Sequence, residues 1–262
     1  MRYVTITTDF GSPSASMKGV IWSMAPQAQI ADLTWEIPPQ DVYQAALHLD
    51  RHVFFYPSHS VHVVVVDPGV GTERRPIAAR IKDQYFVVPD NGVLTRIFDR
   101  AQVEDWDVEV VHTNRPRYWM PEISDIFHGR DIFAPVGGHL AAGVELQELG
   151  ELIDDPVRIE IPYARKTDQG VEGEISIIYD YFGNIITNIT REDLQGMNLD
   201  EVEVSLCGTT ISGMVRTFGE RPEGSLAALF DECGYLYVAV TNGSAAARLD
   251  PEVGDPVLVT SR

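Results

Sequence analysis

Residues 61–76, VHVVVVDPGVGTERRP, constrain the fold more than any other stretch of the chain. Five valines around a single histidine make a nearly continuous apolar run, the pattern of a strand buried on both faces of a parallel sheet. The run stops at Asp67-Pro68-Gly69, a turn signal, which puts Asp67 at the strand's carboxyl end. In open α/β sheets that edge is where ligands bind. The loop then offers Gly69 and Gly71 for close backbone approach and delivers Arg74 and Arg75 a few residues further on. Taken alone, the segment also fits a strand cap followed by a solvated basic pair.

The neighbouring segments repeat a βα rhythm. YVTITTDF reads as a strand ending at Asp9 and MKGVIWSMA as a helix; IADLTWEI reads as a strand and VYQAALHLDRHVFFY as a helix. QYFVVPDNG is a further strand, NGVLTRIFDR opens a helix, and FAPVGGHLAAG is a helix stopped by Gly143. An α/β N-terminal domain over 1–162 with a largely parallel sheet is expected. PYARKTDQG reads as a polar linker. Beyond it come short period-2 runs, EGEISIIYDYFGNIITNI, EVEVSLCGTTISGMV, GYLYVAVTNGS and DPVLVTSR, so 171–262 is expected to be a smaller all-β, barrel-like domain.

Charge limits the partners. A net charge of −19 would repel a nucleic-acid backbone or an anionic membrane, so neither is expected. Cys207 and Cys233 lack metal-ligand spacing and read as reduced packing residues. The opening MRYVTITTDFG lacks a signal peptide's basic region and long apolar core, and no apolar run approaches a membrane span. A cytoplasmic location is expected.

Polar residues recur at the strand ends. Asp9 follows TITT, Asp67 follows VVVV, Asp90-Asn91-Gly92 follows YFVVP, and Asp180 with Phe182-Gly183-Asn184 follows ISIIY. One such aspartate is an ordinary cap, but several on adjacent parallel strands converge on one edge. Phe127-His128-Gly129-Arg130-Asp131 adds an imidazole and a guanidinium. Asp9, Asp67, His128 and Asp131 also suit a hard metal, yet no HxH, HExxH or DxD spacing accompanies them, and no metal is expected.

TTDFG, VVDPGVGTERRP, VVPDNGVLT, FHGRDIFAP, HLAAG, FGNIITNI and NGSAA resemble, in that order, the S-adenosyl-L-methionine hydroxide adenosyltransferase family, whose members are related to the fluorinating and chlorinating enzymes. The resemblance runs over essentially the whole chain. It implies an N-terminal α/β domain, a C-terminal β-barrel and a homotrimer with sites shared between subunits. It also implies cleavage of S-adenosyl-L-methionine (SAM) by water, releasing adenosine and L-methionine, with SAM as substrate and no cofactor.

Residue by residue, the family's catalytic aspartate falls on Asp67, its arginine on Arg74 and its histidine on His128. The resembling halogenases lack this set. The ribose-holding aspartate is Asp9, with Asp67 also facing substrate; the base-clasping aromatic and asparagine are Phe182 and Asn184, with Asn242 a further candidate. The loop between TDFG and MKG is shorter here than in relatives, only SPSAS, which removes an acidic residue from the region holding the amino-acid half of the substrate. Glu232 and Cys233 occupy the stretch before GYL where the halogenases place a serine and an arginine near the methionine; a glutamate would repel a carboxylate and suits an ammonium.

These residue types match the chemistry. Hydroxide attacking a sulfonium annihilates charge, which a dry pocket favours. Making hydroxide is the obstacle, since water's pKa is about 15.7. Arg74 would favour the deprotonated form, and either Asp67 or His128 is suited to take the proton. Two other readings remain open at this point: a halogenase-like SAM cleaver, and an adenosine- or SAM-binding module without turnover.

Overall fold

The computed structural model describes every residue except Met1, Asp180 and Arg262. The chain divides into two compact units, Met1–Ile161 and Pro162–Arg262.

The first unit alternates strands and helices as β1 (Tyr3–Thr8), α1 (Ala15–Met24), β2 (Gln29–Thr34), α2 (Val42–His52), β3 (Val61–Val65), β4 (Pro76–Ile81), β5 (Gln84–Pro89), α3 (Thr95–Val103), β6 (Val108–His112), α4 (Ala134–Ala142) and β7 (Glu151–Leu152). Asp41 caps α2 by accepting the Gln44 N–H at 2.9 Å. α4 stops at Gly143, as its sequence predicts. Among the described residues the strands order as β2-β1-β3-β5-β4-β6-β7.

Strands β2, β1, β3 and β5 pair in parallel. The rest of the sheet is antiparallel, because β4 turns back into β5 through the two residues Lys82-Asp83, with Lys82 left-handed at φ 56°. The sheet is therefore mixed, with a parallel portion carrying the run identified above.

Every residue of β3 is buried. Val61, Val63 and Val65 pack with Met17, Ile21, Phe133 and Leu140 on one side. Val64 and Val66 pack with Leu49, Phe86 and Ile97 on the other. This two-sided burial is what removes polar residues from the strand. His62 is the exception. It is fully buried, with Nδ1 2.8 Å from Thr5 Oγ1 and Nε2 3.4 Å from Gln84 Oε1.

The second unit comprises β8 (Arg165–Thr167), β9 (Gly170–Ile178), β10 (Ile185–Thr190), β11 (Val202–Leu206), β12 (Thr209–Ser212), β13 (Leu226–Phe230), β14 (Tyr235–Val240), the short helix α5 (Ala245–Leu249) and β15 (Pro256–Ser261). Its strands order as β12-β11-β15-β9-β10-β14-β13, all antiparallel, with β8 hairpinned onto β9. The stretch read as a linker therefore contributes a strand. A bridge between Met214 and Ala228 and a 2.8 Å bond from Val215 N–H to Ala228 C=O join the two ends into a nearly closed barrel. Ile175, Ile185, Val204, Leu236 and Val259 lie in its core.

Candidate active site

Asp67 follows β3 after the single residue Val66, and the loop after it folds back on itself. Val70 N–H donates to Asp67 C=O at 3.2 Å, and Thr72 Oγ1 donates to Gly69 C=O at 2.7 Å. Gly71 is left-handed (φ 76°), and a Cβ there would lie 2.5 Å from the Asp125 carbonyl oxygen, so the loop touches the 125–128 segment through bare backbone. This return brings Arg74 onto Asp67. Arg74 Nε donates to Asp67 Oδ1 at 3.0 Å and Nη2 donates to Oδ2, a two-point fork.

The same Nη2 lies 3.2 Å from His128 Nδ1, so the three side chains form one hydrogen-bonded chain. The Arg74 and Asp67 side chains are only 7% and 4% exposed. Phe133 lies under the guanidinium, 5.0 Å from its carbon to the ring centre. Arg74 Nη1 is buried and finds no partner among the described residues.

His128 precedes a single π-helical turn, Gly129–Phe133, an element frequent at functional sites. Asp131 in that turn is buried, pairs with Arg130 and accepts the Ser124 N–H at 2.9 Å. Burial alone would raise the Asp131 pKa, but those hydrogen bonds hold it below the usual carboxylate range. Asp131 is thus a brace for the loop before His128. Burial and then the Arg74 charge lower the His128 pKa from its ordinary value. Since a guanidinium only donates, Nδ1 accepts, and the neutral ring carries its proton on Nε2.

Asp9 sits beyond β1 and accepts the Gln40 N–H on Oδ2 at 2.7 Å. Its neighbour Phe10 packs edge-on against Phe127, with ring centres 5.8 Å apart, which ties the end of β1 to the His128 segment. The other conspicuous strand-end carboxylate is structural. Asp90 is buried, taking Arg75 Nε at 2.8 Å and the Val157 N–H at 2.7 Å. The arginine pair is thus divided, Arg74 to Asp67 and Arg75 to Asp90 and Asp155.

In the second unit Phe182 is 66% exposed, its ring 4.8 Å from that of Tyr181. Gly183 is left-handed (φ 65°) and lies so close to Ser244 that no side chain fits; its C=O accepts the Ala246 N–H at 2.8 Å. The FGN and NGS loops are therefore docked together. Asn242, left-handed at φ 55°, is exposed on the second of them. Asn184 is nearly buried and bonded to Tyr237, and Glu232 is exposed, its charge acting on the Tyr237 hydroxyl. Asp180 lies outside the described residues.

Comparison with known proteins matches residues 4–150 to the SAM hydroxide adenosyltransferase N-terminal domain and residues 173–258 to the C-terminal domain of the same family. The chain belongs to the SAM hydroxide adenosyltransferase family. An (R)-S-adenosyl-L-methionine hydrolase from Thermus thermophilus is 37% identical over 268 residues, covering 98% of this chain and 99% of that one. Another from Salinispora arenicola is 35% identical over 265 residues, covering 99% and 98%. Fluorinases match at lower identity. The crystal structure of an uncharacterized conserved protein from Thermotoga maritima superposes with a TM-score of 0.90 at 34% identity, covering 98% of this chain and 99% of that one.

In this SAM hydroxide adenosyltransferase the motif residues Asp67, Arg74 and His128 are in direct contact. Two supporting residues escape sequence reasoning, and a third stands there only as part of a strand end. Phe133 lies under Arg74, Asn91 holds the Val66 carbonyl just before Asp67 at 2.9 Å, and Tyr237 binds Asn184. Only Asn91 left a signal, as part of the PDNG strand end. Among the described residues no group of three or more His, Cys, Asp or Glu is placed to hold a metal ion, and no helix is long and apolar enough to cross a membrane.

Proposed function

We propose that the chain hydrolyses SAM to adenosine and L-methionine by attack of water on the 5′-carbon. The observation that carries this reading is the buried Asp67–Arg74–His128 chain with its unpartnered Arg74 Nη1. As the C5′–O bond forms, the C5′–S bond breaks and its electron pair passes to sulfur, turning the sulfonium into neutral methionine. One proton leaves the water.

Arg74 Nη1 is the donor that holds the attacking oxygen and favours its anionic form. Neutral His128 has its one lone pair occupied by Arg74, so it serves as a donor at Nε2. Asp67, a carboxylate with lone pairs beyond the two Arg74 bonds, is the better proton acceptor. Asp9 Oδ1 takes the ribose hydroxyls. Phe182, Asn184 and Asn242 take the base, and Glu232 takes the ammonium. The Thermus and Salinispora relatives are (R)-SAM hydrolases, and the same sulfonium epimer is proposed as substrate here.

The decisive experiment incubates purified protein with each SAM epimer and follows adenosine by chromatography, with and without chloride or fluoride. Halide-independent adenosine from the (R) epimer is expected. A halide-dependent 5′-halonucleoside would favour halogenase chemistry, and binding without any product would leave a non-catalytic module. A homotrimer is proposed on the family resemblance and a cytoplasmic location on the sequence reading above; a fully active monomer in sedimentation would overturn the trimer.

A further inference from the structure

The loop that carries Asp67 and Arg74 has to bridge a strand. It leaves β3 and enters β4, and β5 lies between those two in the sheet, parallel to β3 and antiparallel to β4. The carboxyl end of β5 therefore rises between the two ends of the loop. Asp90 and Asn91 stand there, and neither touches the Asp67–Arg74–His128 chain through any hydrogen bond of its own side chain.

Each residue grips one end of the loop. Asn91 Nδ2 donates to the Val66 carbonyl at 2.9 Å, one residue before Asp67, and its Oδ1 accepts the Val93 N–H at 3.3 Å. A carbonyl only accepts and an N–H only donates, so these two backbone groups fix which way the amide faces. On the other side the Asp90 N–H donates to the Arg75 carbonyl at 2.9 Å, one residue after Arg74. The Asp90 carboxylate takes Arg75 Nε on Oδ2 at 2.8 Å and the Val157 N–H on Oδ1 at 2.7 Å. Arg75 reaches on to Asp155 with Nη1 and Nη2, each at 2.9 Å. The Asp90 side chain is 1% exposed, so this end is held out of water.

Between the two grips the loop contains Gly69 and Gly71, which stiffen it little. The two-point fork of Arg74 on Asp67 demands a set separation and a common plane. We propose that Asp90 and Asn91 are positioning residues for water activation, a clamp at the end of β5 that fixes both ends of the loop and so sets Arg74 against Asp67. The role depends on the reading of Asp67 and Arg74 as the water-activating pair. It makes the PDNG segment a determinant of rate as well as a strand end.

The test measures SAM kinetics, adenosine affinity by calorimetry and melting curves for Asn91→Asp and Arg75→Lys, each alone and combined with Arg74→Lys. Asn91→Asp keeps the shape and the acceptor for Val93 but sets a carboxylate oxygen against the Val66 carbonyl. Arg75→Lys works from the other end of the loop, at a side chain that is 28% exposed, and replaces the fork between Asp90 and Asp155 with one ammonium. Each is expected to lower kcat by roughly ten- to a hundredfold, with KM and adenosine affinity within about threefold, because a small misplacement costs reaction more than binding. A merely structural role would lower the melting temperature and leave kcat per folded molecule unchanged. Once Arg74→Lys has removed the fork, either substitution should cost less than about threefold more. Losses that multiply in the combined variants, or kcat within about twofold of wild type in both single ones, would overturn the clamp and leave the proposed reaction standing. A wild type that releases no adenosine would remove that reaction, and the clamp's role with it.

Discussion

Arg74 joins the parts of the candidate site through separate atoms of one guanidinium: Nε and Nη2 on Asp67, Nη2 on His128, Nη1 unpartnered. Charge alone cannot do this. A lysine carries one compact ammonium and lacks the planar fork. Arg74→Lys is therefore expected to lower turnover by about a hundredfold or more, the usual scale for an electrostatic contributor, while adenosine affinity stays within about threefold. Asp67→Asn should lose a similar factor, because it keeps the shape but removes the proposed base. Turnover near wild type in both would remove the water-activating assignment. Melting curves belong beside the kinetics, since breaking a buried ion pair is itself destabilising by roughly 3–5 kcal/mol.

The loop after β3 and the segment that leads into His128 meet at Gly71, where the backbone carbonyl of Asp125 leaves no room for a Cβ. Gly71→Ala adds both a clash and a left-handed conformation that alanine resists. The Asp125 segment must then move away, taking His128 from Arg74. Turnover is expected to fall at least tenfold with a stability loss of about 1–3 kcal/mol. A variant with unchanged turnover would mean that the His128 contact is dispensable. Legibility at this scale follows packing. The central parallel strands could be read because burial on both faces leaves nearly continuous apolar runs, as in β3 and β5. β4 and β6 escaped because PIAARI starts with proline after a basic loop, and VEVVH is only half-buried along its length. β7 and β8 are too short to leave a period. Asp67, Arg74 and His128 could be found because strand ends and turn chemistry mark them. The structural duty of Arg75 and Asp90 and the Tyr237–Asn184 bond depend on pairings between separate elements, which no local pattern records.

The whole molecule distributes its titrating groups unevenly between the two units. All 7 histidines fall between His48 and His139, in the first unit. All 4 tryptophans are there too, from Trp22 to Trp119. Burial holds His62 at about 4 and, with the charges of His52 and Arg51, His48 at about 3; His112, His128 and His139 are lowered as well. Each folded value lies below the unfolded one, so the unfolded chain binds more protons between the two. Stability is then full above pH about 6.5 and is lost as pH falls through that window. His62 alone accounts for about 3 kcal/mol by pH 4. In the barrel burial raises the Glu174 pKa, which works in the opposite direction. The imidazole wedged between β1 and β5 thus makes the first unit the acid-labile half of the protein, and tryptophan emission reports on that half alone. Urea unfolding followed by that emission should shift to markedly lower denaturant between pH 7 and pH 4.5, while far-ultraviolet circular dichroism retains a later β-rich transition. A midpoint that stays level across that range would show that the histidines are not held neutral. In a compartment that acidifies, the half that carries the candidate site would be the first to melt, and activity would cease while the barrel still stood.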